Sequence, residues 1–165
     1  MAKENPKAGN SEKTDPPVFA VERIYVKDVS FETPLGAESF TIKWEPEVDL
    51  DLNNKATKLE ENLYEVVLRV TVTAKQKGGD SSYYLTEVHQ AGIFKVANFS
   101  EEDRKRVLAT VAPTTLFPYI RETIDSLLLK ASFPPLMLAP VNFEALLQAA
   151  MKQKMAQTER KPTIQ

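Results

Sequence analysis

The segment Phe133-Pro-Pro-Leu-Met-Leu-Ala-Pro140 constrains this chain most. Connections between elements run over the surface and are normally polar. This one is apolar throughout, so it must lie on other apolar surface or await it. Its prolines bar both a helix and a central strand, because proline lacks the amide donor and restricts its predecessor. Upstream, Leu116, Phe117, Ile120, Ile124, Leu127, Leu128 and Ala131 recur at helical spacing and predict a long amphipathic helix with one apolar stripe. Pro118 falls in its early turns, where proline is tolerated or bends the axis, and Pro134 and Pro135 end it. Downstream, Asn142 is placed as an N-cap and Glu144 stands in the positive first turn. Val141 and Leu146 are spaced as a hydrophobic staple, so a second helix is expected there.

Ahead of this unit the chain favours strands. Residues 18–31 are rich in Val, Ile, Tyr and Phe. Their apolar side chains fall on both faces, with Val21, Tyr25, Val29 and Phe31 against Val18, Ile24 and Val26. Such a strand needs cover twice, and in a small domain the second cover is often another subunit. Thr33-Pro-Leu-Gly-Ala37 is a turn. Phe40, Ile42 and Trp44 then alternate with polar neighbours, Pro46 implies a bulge or an edge, and alternation resumes with Val48, Leu50 and Leu52 against Glu47, Asp49 and Asp51. The clearest strand follows, with Tyr64, Val66, Leu68, Val70 and Val72 facing one way. Lys77-Gly-Gly-Asp80 signals a hairpin, and residues 83–96 return, with Gly92 read as a bulge. Ser100 and Asp103 resemble a capping box opening a short helix to about Thr110. Strands followed by helices predict an α+β fold, an antiparallel meander of four strands with helices on one face. The organisation read here is a flexible tail over 1–17, a folded domain over 18–150, and a helix end with a mildly basic tail over 151–165.

The 165 residues suffice for one domain, and 42% hydrophobic with 27% charged residues is ordinary for a globular chain. A formal charge of −2 argues against nucleic acid as a partner. There is no cysteine, hence no disulfide, thiolate metal site or thiol nucleophile. The first 17 residues lack the apolar centre of a secretory signal, and no apolar run approaches the roughly 18 residues that span a bilayer. A soluble cytoplasmic protein is expected, without membrane insertion. The single histidine, His89, lacks a nucleophile motif around it and reads as a strand surface residue. No phosphate loop or zinc spacing occurs. The paired acids Asp28 and Glu32 share a strand face but lack an enclosing apolar pocket in sequence. Nothing calls for catalysis or a cofactor.

What remains is a surplus of apolar surface. One layer of sheet and one of helices cannot bury both faces of the first strand, the helix stripe and the apolar bridge together. An oligomer that buries all of it and an exposed hydrophobic groove are both open readings. A carrier of small apolar ligands would use the same groove.

Six segments bear a resemblance. Arg23-Ile-Tyr-Val-Lys-Asp-Val-Ser-Phe-Glu-Thr-Pro34, Trp44-Glu-Pro-Glu-Val-Asp-Leu-Asp-Leu52 and Tyr64-Glu-Val-Val-Leu-Arg-Val-Thr-Val-Thr73 are similar to SecB, the bacterial export chaperone family. So, in the same order, are Gln90-Ala-Gly-Ile-Phe94, Leu116-Phe-Pro-Tyr119 and Leu138-Ala-Pro-Val-Asn-Phe143. The resemblance implies a dimer of dimers that acts as an ATP-independent holdase. It would bind unfolded preproteins, keep them translocation-competent and hand them to the SecA motor. Carried onto this chain, the substrate groove would comprise Trp44, Val48, Leu50, Leu52, Phe133, Met137, Phe143, Leu146 and Leu147. The SecA-docking face would comprise Asp28, Glu32, Leu85 and Glu87. The chain departs from the family at its end. Lys152, Lys154, Arg160 and Lys161 stand against a lone Glu159 where relatives carry an acidic tail. A SecB-like chaperone for other clients, without SecA handover, is therefore the second reading.

Overall fold

The computed structural model describes residues 15–159. Most of the tail expected over 1–17, and the last residues of the basic tail, lie outside the described residues. The strands are β1 (Val18–Glu32), β2 (Pro46–Glu60), β3 (Leu63–Gln76) and β4 (Ser82–Ala97). Two helices follow, α1 (Glu101–Lys130) and α2 (Phe143–Glu159), and a short 3-10 turn occupies Gly36–Phe40. The sheet is antiparallel and the fold is α+β, as the sequence predicts. Its strand order is β1-β4-β3-β2, so it is not a simple meander. β2, β3 and β4 are joined by hairpins, while the long connection after β1 carries the chain across the sheet, the order of a Greek key.

β3 shows period-two burial along its whole length, and Val66, Leu68, Val70 and Val72 are fully enclosed. α1 presents Leu108, Ala112, Leu116, Phe117, Ile120, Ile124 and Leu128 to that face. It is one helix, not the two expected. Ser100 Oγ accepts from Asp103 N at 3.1 Å, and the helix runs through Pro113 and Pro118. Threonine hydroxyls at 110, 114 and 115 donate back to the carbonyl four residues earlier, chemistry that accommodates a bend around the prolines.

Three further expectations need correction. Residues 40–44 are not a strand. Tyr83 stands at a register shift of β4, and its hydroxyl donates to the Lys43 carbonyl at 2.8 Å while accepting from Glu45 N at 3.4 Å. This backbone is therefore bonded to a side chain instead of a ladder. Gly92 is no bulge, since it pairs in regular register with Ile24 and Val66. It is glycine because a Cβ there would lie 2.6 Å from the Phe94 ring and 3.0 Å from Leu116 Cδ2. Finally, β1 divides its apolar residues differently from the expectation, with only Val18 and Tyr25 of those named above on the face away from the helix. Register shifts between Val21 and Arg23 and between Val26 and Asp28 each insert a residue and reset the phase. Phe19, Val21, Ile24, Val26, Val29 and Phe31 pair with Val96, Phe94, Gly92, Gln90, Val88 and Thr86, so all stand on the helix side.

Gly92→Ala should destabilise the fold by about 2 kcal/mol, because the Phe94 ring is buried and stacked on Phe19 and cannot yield freely. Urea denaturation should show a lower midpoint with an unchanged slope.

Candidate functional site

α1 passes mainly over β4 and β3, at the centre of the sheet, meets β2 where Asn54 Nδ2 donates to the Leu108 carbonyl, and leaves part of each edge of that face open. On β2, Val48 and Leu50 lie opposite Ala74 and Val72 on the helix side, yet are 41% and 47% exposed. Leu52, opposite Val70, is half-buried against the core. On β1, Val21, Val26 and Val29 stand on the same face and are exposed too.

Next to β2 an aromatic cluster has a buried floor and an open rim. Phe133 is buried, as an apolar bridge requires, and stacks on Phe40 and Trp44 at ring separations of 5.3 and 5.5 Å. Tyr84 meets Phe133 at 5.1 Å, and Tyr83 meets Trp44 at 4.7 Å. Such pairs contribute about 0.5–1.5 kcal/mol each beyond their burial, so the cluster is a rigid surface. Phe40 and Trp44 keep their outer surfaces exposed. Beyond Phe133 the bridge carries Met137 outward, 63% exposed.

The remaining positions singled out from sequence divide. Asn142 caps α2 as expected, its Oδ1 accepting from Ala145 N at 2.9 Å. Phe143 is buried edge-on to Phe117, 6.3 Å between ring centres, and anchors α2 to α1. It belongs to the core and not to an open wall. Leu146 is exposed and Leu147 half-buried. A separate cleft of about 730 Å³ runs along α1, lined by Phe117, Pro118, Asp125, Leu129, Pro140 and Val141 among others. None of the groove residues named from sequence lines it.

The opposite face of the sheet bears no helix among the described residues. Register brings the four acidic-face candidates together there: Glu32 pairs with Leu85, Ser30 with Glu87, and Asp28 with His89. His89 Nε2 lies 2.7 Å from Glu87 Oε1, and Thr71 Oγ1 donates to Glu87 Oε2 at 2.9 Å. These two contacts, His89 first, hold the Glu87 carboxyl below the usual carboxylate range. Further across, Lys75 pairs with Asp49 at 3.4 Å and Arg69 with Asp51 at 3.7 Å. Asp49 and Asp51 of β2 are thus matched, as a solvated face would have them, whereas Asp28 and Glu32 stand at the β1 edge. Asp28, Glu87 and His89 each offer a ligand atom within 4.8 Å of the others and could hold a divalent metal. The imidazole and the Glu87 carboxylate already satisfy one another without one.

Comparison with known proteins decides the family. The family described as "Preprotein translocase subunit SecB" matches residues 12–154. The chain belongs to the SecB family. It is 46% identical over 151 residues to the "Protein-export protein SecB" of Marinobacter nauticus, covering 92% of this chain and 90% of that one. The Cellvibrio japonicus protein of the same name is 43% identical over 159 residues, 96% of this chain and 94% of that one. Among solved structures, a SecB-like chaperone of Mycobacterium tuberculosis bound to an antitoxin peptide superposes with a TM-score of 0.59. It is 17% identical and covers 74% of this chain and 90% of the other, a likeness of fold.

Sequence reading missed several residues of this SecB-family surface. Phe40 completes the aromatic rim and Tyr83 fixes the backbone beside Trp44. Tyr25, Lys27 and Glu65 form a polar knot on the open face: Tyr25 donates to Glu65 Oε1, and Lys27 Nζ lies 2.7 Å from Glu65 Oε2. The hydrogen bond to Glu65, then burial, then the Glu65 charge push the Tyr25 phenol up to about 12. Lys27 first and Tyr25 second hold Glu65 below its usual range. Removing the acceptor charge should reverse the phenol shift. In Glu65→Gln one tyrosine should titrate closer to 10.0, followed by phenolate absorbance against pH.

Proposed function

We propose that this protein is an ATP-independent holdase that binds unfolded preproteins and delivers them to SecA in the cytoplasm. The observation that carries the proposal is the row of exposed apolar side chains beside β2. Val48 and Leu50 stand next to the open aromatic rim of Phe40 and Trp44, with Met137 on the bridge beyond Phe133. Apolar patches of this kind mark protein-binding surface. An unfolded chain supplies apolar side chains and free backbone groups in any order, so a broad apolar strip beside a strand edge suits it without a sequence code. Binding the unfolded chain withholds it from folding by mass action, so neither ATP nor a catalytic group is required, and the protein is not an enzyme.

The uncovered Val21, Val26 and Val29 beside the β1 edge are the surface we assign to self-association, as a homotetramer built from two dimers. The open-face group Asp28, Glu32, Leu85 and Glu87 is assigned to SecA. Its place supports that role, being on the side of the sheet away from the apolar strip, so one molecule can hold a client and dock at once. The chain end favours the second reading, client holding without SecA handover, since Lys152, Lys154, Arg160 and Lys161 leave it basic.

One experiment tests both parts. A slow-folding preprotein is diluted from denaturant with the wild-type protein or with Asp28→Lys/Glu87→Lys, without ATP. Refolding should stop near one client per tetramer with either protein, and only the charge-reversed one should lose SecA binding, by at least tenfold. Unimpeded refolding beside intact wild-type protein overturns the holdase. Unchanged SecA affinity overturns the docking assignment, and a wild-type protein that stops refolding but does not bind SecA leaves the second reading.

A further inference from the structure

An apolar connection without regular structure needs something to hold its shape, and one polar side chain does so here. Asp125 Oδ1 accepts from Leu136 N at 2.9 Å and from Met137 N at 3.0 Å. These are the first backbone donors after Pro134 and Pro135, which have none. Phe133 N is bonded back to the Leu128 carbonyl at 2.9 Å, so the start of the bridge is tied to the end of α1 and its middle to Asp125. Two successive N–H groups converging on one anionic oxygen form the arrangement of a backbone nest. Met137 has φ of 49°, a left-handed conformation that a residue with a side chain adopts only when its surroundings enforce it. The Asp125 contact is made at that residue.

We propose that Asp125 is a positioning residue for client binding: its carboxylate pins the Leu136–Met137 peptide so that Phe133 is held in the aromatic floor and Met137 is presented outward. The inference rests on the client-binding reading above. Three observations join in it. Aspartate is a poor residue for a helix interior, so its presence in α1 serves something other than the helix. The two bonded amides belong to a segment with no ladder of its own, so losing the acceptor frees the whole middle of the bridge. Met137 is more exposed than the other groove residues named from sequence, so a free bridge would offer it in many positions and bind through only a fraction of them.

The test uses the full chain with Asp125→Ala and Asp125→Asn. Asparagine keeps the accepting oxygen and alanine removes it. Amide exchange at Leu136 and Met137 should be slow in the wild type, near that in the asparagine variant, and at least tenfold faster in the alanine variant. Affinity for a fluorescein-labelled, reduced and alkylated protein should fall about tenfold in the alanine variant and stay within about twofold in the asparagine variant. The melting temperature of the alanine variant should be preserved, because alanine favours the helix. If the alanine variant does not fold, Asp125→Leu, a good helix former that also lacks the acceptor, takes its place with the same expectations. An acceptor-free variant that binds as tightly as wild type, or whose bridge amides stay protected, overturns the proposal. Failure of the wild type to bind the labelled chain overturns the client-binding reading instead, and the exchange rates still decide whether Asp125 pins the bridge.

Discussion

One helix cannot cover a sheet of this width. Four strands spaced about 4.8 Å apart span roughly 15–20 Å with their side chains, whereas a helix with its side chains is about 10–12 Å across. α1 therefore buries the centre, β3 and β4, and on the same side Val21, Val26 and Val29 of one edge and Val48 and Leu50 of the other stay open. α2 does not make up the difference, because it packs on α1 through Phe143 rather than on the sheet. The fold thus generates two apolar flanks from geometry alone. One lies on β1, the other on β2, and the aromatic cluster around Phe133 extends the second.

The division of labour between the faces follows from the same layering. With the helices on one side, the other side of the sheet can be polar, and cross-strand register decides which polar residues meet there. Asp28, Glu32, Leu85 and Glu87 come from two distant segments and become neighbours only because β1 returns to pair with β4. Had β1 paired with β2, as in a meander, these residues would lie apart. The Greek-key connection is what makes one acidic patch of them.

Much of this was legible in the chain. β3 announces itself by alternation, the return strand follows from the hairpin signal, and the caps at Ser100 and Asn142 form as their spacing predicts. What was hidden depended on contacts between distant residues. Two inserted residues in β1 reset its phase, and periodicity counted along a regular strand puts Ile24, Val26 and Tyr25 on the wrong face. Phe40, Ile42 and Trp44 alternate like a strand, but Phe40 and Trp44 serve the aromatic cluster, because Tyr83 takes the neighbouring backbone groups. Gly92 is required by the Phe94 ring, not by a bulge. Asp125 gives no local sign at all, since its partners lie beyond the end of its own helix. For the site, the resemblance placed the residues, and only the coordinates separate the exposed Leu50 and Met137 from the buried Phe143.

The central claim is that the apolar strip beside β2 and the bridge take the client while the open sheet face stays free. Hydrogen exchange of the protein with and without a saturating unfolded client tests it most directly. New protection should appear at residues 44–52 and 133–138, with residues 85–89 unchanged on client binding. Protection confined to residues 28–32 and 85–89, with the β2 edge and the bridge unaltered, would contradict it.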